Sequence, residues 1–154
     1  MAGKIDARMK ELGITLPEGA TPTANYVPYT ITGNLVFIAG QVSRFNAEVI
    51  KGKLGAGVDI PTGQKAARYC GLSILAHLKN ACGGDLDRVR RCVKVSGFVN
   101  GAPDFIDPPQ VMNGCSDLFV DVFGDAGRHA RFAIAVASLP QGASVEADAV
   151  FEIA

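Results

Sequence analysis

Little in this sequence favours a polyelectrolyte partner or a membrane. Its 154 residues hold 15 basic and 15 acidic side chains, so the net charge is zero. The charged share is 19%, below the ~25% of ordinary soluble domains. With no long basic run, the chain offers nucleic acid and anionic lipid no electrostatic attraction. No stretch approaches the ~18 uninterrupted apolar residues of a membrane span. The start, MAGKIDARMKELG, lacks the ~7–15-residue apolar core of a signal peptide. A cytoplasmic protein without a membrane partner is expected. Four cysteines, Cys70, Cys82, Cys92 and Cys115, are separated by 12, 10 and 23 positions, so no CxxC or other zinc spacing exists. They are expected as small buried hydrophobes, with no metal.

What is present is an apolar pattern for one globular domain. A hydrophobic content of 48% excludes disorder, and the length suits a single core. Ile5, Met9 and Leu12 predict a short surface helix ended by Gly13. An arm rich in Pro, Gly and Thr follows. YTIT and LVFIAG, joined by Gly33-Asn34, predict a hairpin. Residues 44–61 carry one weak strand near Val49 and a loop. From Thr62, read as the N-cap, a helix presents Ala67, Cys70, Ile74, Leu78 and Ala81 on one face and stops at Gly83-Gly84. A strand over 89–100 alternates Val93, Val95, Gly97 and Val99 with Lys94, Ser96 and Phe98. Pro108-Pro109 open a second helix striped by Val111, Cys115, Leu118, Phe119 and Val122 and closed by Gly124. Strands at 131–138 and 144–153 complete an order ββ(β)αβαββ. That order predicts an α+β fold with two helices on one face of a mixed sheet, and leaves the other sheet face without a cover.

In the last two strands, alternation places Phe132, Ile134 and Val136 on one face, read as core. Arg131, Ala133 and Ala135 fall on the other, which is expected to be shared by Glu146 and Asp148. A guanidinium among alanines is a candidate anion pocket, because its planar fork grips a carboxylate with two hydrogen bonds. A solvated surface ion pair is the plainer reading of the same pattern. A symmetrical hairpin at LPQGA would also put Glu146 opposite residue 137, roughly 20 Å from Arg131 at ~3.3 Å per residue. The two would then meet only across subunits, or if the connection is not a hairpin.

GNLVFIAGQ, GDLDRV and HARFAIAVASLPQGASVEADAV together resemble the reactive intermediate deaminase (Rid, or YjgF) family over most of residues 25–154. The most specific element is Arg131, nine positions before Pro140, with Glu146 six positions after that proline. The resemblance implies a chorismate-mutase-like α+β subunit spanning 1–154, with residues 1–24 as an N-terminal helix and arm. It also implies a homotrimer with clefts between adjacent chains. The activity it implies is hydrolysis of small enamine and imine acids, of the 2-aminoacrylate type, to 2-oxo acids and ammonia without a cofactor. Arg131 would hold the substrate carboxylate, and Glu146 would position or activate water. Tyr26 would close the pocket from the neighbouring chain, with Asn113 near the cleft and the Gly40 backbone beside the ligand. Two positions depart from the best-known branch. Ala39 stands for a hydroxyl residue, and Ala133 for a cysteine.

Two other functions fit parts of the pattern. A non-catalytic 2-oxo acid sensor would need Arg131 more than Glu146. Members of the family have also been described as endoribonucleases. Arg88, Arg90, Arg91 and Lys94 form a basic cluster, but no aromatics are interleaved for base stacking. His129, two positions before Arg131, is placed on the same strand face as that arginine; His77 is expected to be structural.

Overall fold

The computed structural model describes residues 3–19 and 21–154; residues 1, 2 and 20 of the expected N-terminal extension lie outside the described residues. In chain order the elements are α1 (Lys4–Glu11), β1 (Tyr29–Thr32), β2 (Leu35–Val42), β3 (Arg44–Phe45), β4 (Glu48–Val49), β5 (Lys53–Leu54), β6 (Gly57–Val58), α2 (Ile60–Ala81), β7 (Val89–Asn100), α3 (Pro108–Phe123), β8 (Ala130–Val136) and β9 (Val145–Ile153). Gly33, at φ 57°, supplies the left-handed turn conformation that lets Thr32 pair directly with Leu35, so the first hairpin forms as expected. Between the hairpin and α2, the expected single weak strand is replaced by two short ladders, β3 with β4 and β5 with β6.

The main sheet has the order β1-β2-β9-β7-β8, with only β7 and β8 parallel. The last two strands therefore do not form a hairpin: β7 lies between them. Helices α2 and α3 pack on one face of this sheet, and α1 packs against α3. The result is the expected α+β arrangement of a mixed sheet with helices on one face, with α1 as a third helix. No helix of the described residues is long and apolar enough to cross a membrane.

Several details differ from the sequence reading. The N-cap of α2 is Asp59, whose carboxylate accepts from the Thr62 amide at 2.9 Å; Thr62 is the recipient of the cap. A carboxylate reaches three residues ahead as readily as a hydroxyl, and Ile60-Pro61 extends the helix start by two residues. In β7 the register with β9 shifts between Cys92 and Lys94, which makes Val93 an extra residue. Cys92, rather than Val93, then joins Val95, Gly97 and Val99 in facing the core. Helix α1 is capped from far along the chain, by Asp87 accepting from the amides of Lys4 and Ile5 at 2.8 Å each.

The core lies between the helices and the sheet. Phe119 of α3 meets Phe151 of β9 edge-to-face with centroids 5.4 Å apart, a geometry that adds ~0.5–1.5 kcal/mol beyond burial itself. All four cysteines are buried and free, as expected. Helices α2 and α3 approach closely at Gly114, where a β-carbon would lie 2.0 Å from the Gln64 carbonyl oxygen.

The faces of β8 are the reverse of the expectation. Phe132 is 38% exposed and Ile134 46%, while Ala133 packs against the core. Phe132 meets Phe98 edge-to-face with centroids 5.5 Å apart, on the side of the sheet away from the helices. The face that Arg131 and Ala133 share is the one α3 packs over, which leaves Phe132 and Ile134 on the other side. The sheet face away from the helices thus displays Phe37, Phe98, Phe132, Ile134 and Val150.

Candidate functional site: two separated half-sites

Arg131 leaves β8 on the helix-covered face and reaches α3. Its Nη1 donates to Asn113 Oδ1 at 3.0 Å and to Ser116 Oγ at 3.1 Å, and its Nη2 to the Pro109 carbonyl at 3.4 Å. The spacing of Asn113 and Ser116 puts both on one side of α3, one turn apart. Three of the five guanidinium N–H groups are thereby engaged. The other two have no acceptor among the described residues, enough for one bidentate carboxylate contact.

His129 stands behind this arginine. Its Nδ1 lies 2.7 Å from the Gly127 carbonyl oxygen and its Nε2 2.9 Å from Ser116 Oγ. Burial pulls the imidazole pKa below the ordinary histidine value; the bond to Gly127 opposes this, and the Arg131 charge adds to it. The ring supports Ser116 and does not itself contact the arginine's open edge. His77, buried in α2 beside Gly19 of the arm, is also held below the ordinary value, by burial.

The second group of predicted residues gathers elsewhere. In β2 the register with β9 shifts between Ile38 and Gln41, one extra residue that swings Gly40 toward β9. A β-carbon on Gly40 would come within 2.7 Å of Glu146 Oε1. Glu146 lies opposite Val42 on one side and Phe98 on the other. Burial, and then the charge of Asp148, raise its carboxyl above the ordinary range. Gly40, Glu146 and Tyr26 border one cavity of about 710 Å³, walled by the arm before β1 and by the turn after β8. The Pro28 carbonyl accepts from the Ala39 amide at 2.9 Å and ties the arm to the β2 bulge.

The five expected site residues are therefore brought together as two groups, Arg131 with Asn113 and Glu146 with Gly40 and Tyr26. Glu146 shares a face with Phe98 and Ile134, whereas Arg131 points to the opposite face among the helices. The expected single face holding both charges is corrected: inverting β8 turned its arginine to the helix side. The basic cluster near residue 90 is dispersed. Arg88 bonds the carbonyls of Ala154 and Cys82, Arg91 pairs with Glu152 at 4.0 Å, and Lys94 lies over the Phe132 ring. Among the described residues, no group of three or more His, Cys, Asp or Glu could hold a metal ion.

Sequence reasoning missed Ser116, although its i+3 relation to Asn113 was visible. It also missed Arg44 and Gln141, which border the cavity and have no local signal.

The fold is thus a mixed sheet covered by helices on one face, with Arg131 and Glu146 on its opposite sides. The model of the family described as "YjgF/chorismate mutase-like, putative endoribonuclease" matches residues 6–146, and the chain belongs to this family. It is 44% identical to Protein TCP17 of Trypanosoma cruzi, over 99% of this chain and 96% of that one. The crystal structure of Atu1372, a protein of unknown function from Agrobacterium tumefaciens, is 46% identical with a TM-score of 0.90, covering 97% of this chain and 93% of that one. A "putative endoribonuclease" of Shewanella oneidensis MR-1 is 31% identical with a TM-score of 0.93, covering 98% and 100%.

Proposed function

We propose that the protein is a hydrolytic deaminase of enamine and imine acids, working as a homotrimer in which each site combines Arg131 and Asn113 of one chain with Glu146, Gly40 and Tyr26 of the next. The observation that carries this reading is the division of the site. Arg131 and Glu146 fall in different halves, on opposite faces of the sheet, and an apolar sheet face lies open for a second copy to cover.

The chemistry asks little beyond orientation. Arg131 holds the substrate carboxylate through its two open N–H groups. An enamine first takes a proton from water at its β-carbon and becomes the iminium, whose carbon is already electrophilic; water then adds to it as Glu146 accepts a water proton, and the C=N π electrons move to nitrogen. Glu146 then returns the proton to the amine. Collapse of the tetrahedral carbon expels ammonia and forms the 2-oxo acid, the hydroxyl proton leaving to Glu146. A carboxyl raised by burial is a better base for this exchange than an ordinary surface glutamate.

A dehydratase generating 2-aminoacrylate, with ammonia release followed against the spontaneous rate, tests the activity. Acceleration is expected, lost in Arg131→Ala and in Glu146→Gln. Mixing and reassembling those two inactive variants should restore activity toward about one quarter of wild type, because one interface in four then pairs an intact arginine with an intact glutamate. Failure to complement would place both residues on one chain and overturn the shared site. Tight 2-oxo acid binding without turnover would instead identify a sensor.

A further inference from the structure

The cavity beside Glu146 is far larger than a three-carbon imine acid needs. At about 710 Å³ it falls in the ~300–1,000 Å³ range that accommodates much bulkier ligands. Its lining includes a second guanidinium. Arg44 borders the cavity from β3, and among the described residues it forms no ion pair; Glu18 and Glu146 also border the space, but neither comes within ion-pair distance.

Arg44 is held in place as a binding residue would be. Its carbonyl accepts from Ser73 Oγ of α2 at 3.2 Å, and its Nη2 donates to Gln141 Oε1. Gln141 itself sits at φ 61°, a left-handed conformation that non-glycine residues rarely adopt. The arm is also pinned here, by the Glu18 amide donating to Asn46 Oδ1 at 3.1 Å, with Asn46 at φ 51°. A fixed arginine with unused N–H groups, at the edge of a spacious cavity, recognises a carboxylate.

We infer that the substrate carries a second carboxylate on its side chain, read by Arg44 with Gln141, while Arg131 of the neighbouring chain takes the first. The inference rests on the deaminase reading for the position of that first carboxylate. Its substrate class is the imines of dicarboxylic amino acids.

Calorimetry on the full chain tests this with 2-oxobutyrate, oxaloacetate, 2-oxoglutarate and 2-oxoadipate as probes. At least one dicarboxylate should bind tenfold or more tighter than 2-oxobutyrate. In Arg44→Met that ratio should fall to near one. Equal affinity of all four probes for the wild-type protein, a result independent of any variant's folding, overturns the inference. So does a dicarboxylate preference that survives in Arg44→Met. Arg131→Ala should weaken every probe; if it weakens none, or if the wild type binds none, the carboxylate clamp fails instead.

Discussion

Ser116 donates its only hydroxyl proton to Nε2 of His129, 2.9 Å away, and the direction of that bond is fixed by its neighbours. The Gly127 carbonyl can only accept, so His129 Nδ1 carries the ring proton and Nε2 is left as an acceptor. Arg131 can only donate, so Ser116 oxygen accepts from it. Burial disfavours the charged ring, so near pH 7 the imidazole is neutral with its proton on Nδ1, and a serine lone pair is held toward the guanidinium.

Removing that support should loosen the clamp. Ser116→Ala is expected to cost about 1 kcal/mol of carboxylate affinity, roughly fivefold in Kd or KM, with kcat little changed. Calorimetry with 2-oxobutyrate, alongside steady-state kinetics, checks this. An unchanged affinity would mean that Asn113 and Pro109 hold the arginine unaided.

Gly40→Ala separates stability from activity. The added β-carbon meets only the flexible end of Glu146, at 2.7 Å, so the fold accommodates it by moving the carboxylate. The melting temperature should shift by only a degree or two, while turnover drops about tenfold as the proton acceptor is misplaced. A variant that keeps full activity would show that Glu146 need not sit against the bulge.

The pH dependence of kcat/KM should carry the mark of Asp148. Burial, then this neighbouring charge, raise the Glu146 carboxyl, so the acid limb is expected above the ordinary carboxylate range. Asp148→Asn removes a repulsion between anions and should move that limb to lower pH. No movement, or movement upward, contradicts the role given to Glu146 as base.

Stability should fall on the acid side of neutrality through the two histidines. Burial holds both His77 and His129 below their ordinary value, so the unfolded chain binds protons more readily than the folded one. Their contribution is complete above the unfolded value of about 6.5 and is lost as pH falls through the lowered folded values. Thermal melts between pH 7 and pH 5 should therefore decline, and decline less in a His77→Gln/His129→Gln variant. Glu146 titrates with the opposite sign, but its contribution cancels in that comparison. Equal slopes for the two proteins would exclude the histidines as the cause.

Ile134→Asp should dissolve the proposed trimer without unfolding the subunit. Ile134 is 46% exposed on the uncovered sheet face, so a charge there costs little within one chain and much beneath a second. Size-exclusion chromatography with light scattering should show a smaller species with intact circular dichroism and no deaminase activity. Retention of the wild-type mass would show that copies meet on another surface.

The element order was legible in the sequence because hydrophobic period and turn residues are local properties. The hairpin at Gly33, the stripe on α3 and the close at Gly124 all depend on a few adjacent residues. The inversion of β8 was not legible. Alternation separates Phe132 and Ile134 from Arg131 and Ala133, but which set is covered depends on where α3 packs, and on β7 separating β8 from β9. The extra residue at Val93 was hidden for the same reason, since a bulge is a property of two strands. Asp87 capping α1 across more than 80 residues leaves no pattern in either segment. The motif around Arg131 and Glu146 identified the family and the two charges, and hairpin geometry already set them apart, yet the actual cause of their separation, opposite faces of a sheet in which β7 divides β8 from β9, appeared only with the sheet order.

The central position of β9 also sets an order of events at the ribosome. This strand follows every other strand of its sheet in the chain, yet it lies between β2 and β7 and pairs with both. Until it emerges, a nascent subunit holds two open sheet edges with nothing to join them, the kind of edge that invites pairing with other chains. The proton acceptor of the proposed site rides on this same strand. A subunit therefore gains its closed sheet and that residue in a single late step, and a chain stalled before residue 145 would be left with both edges open.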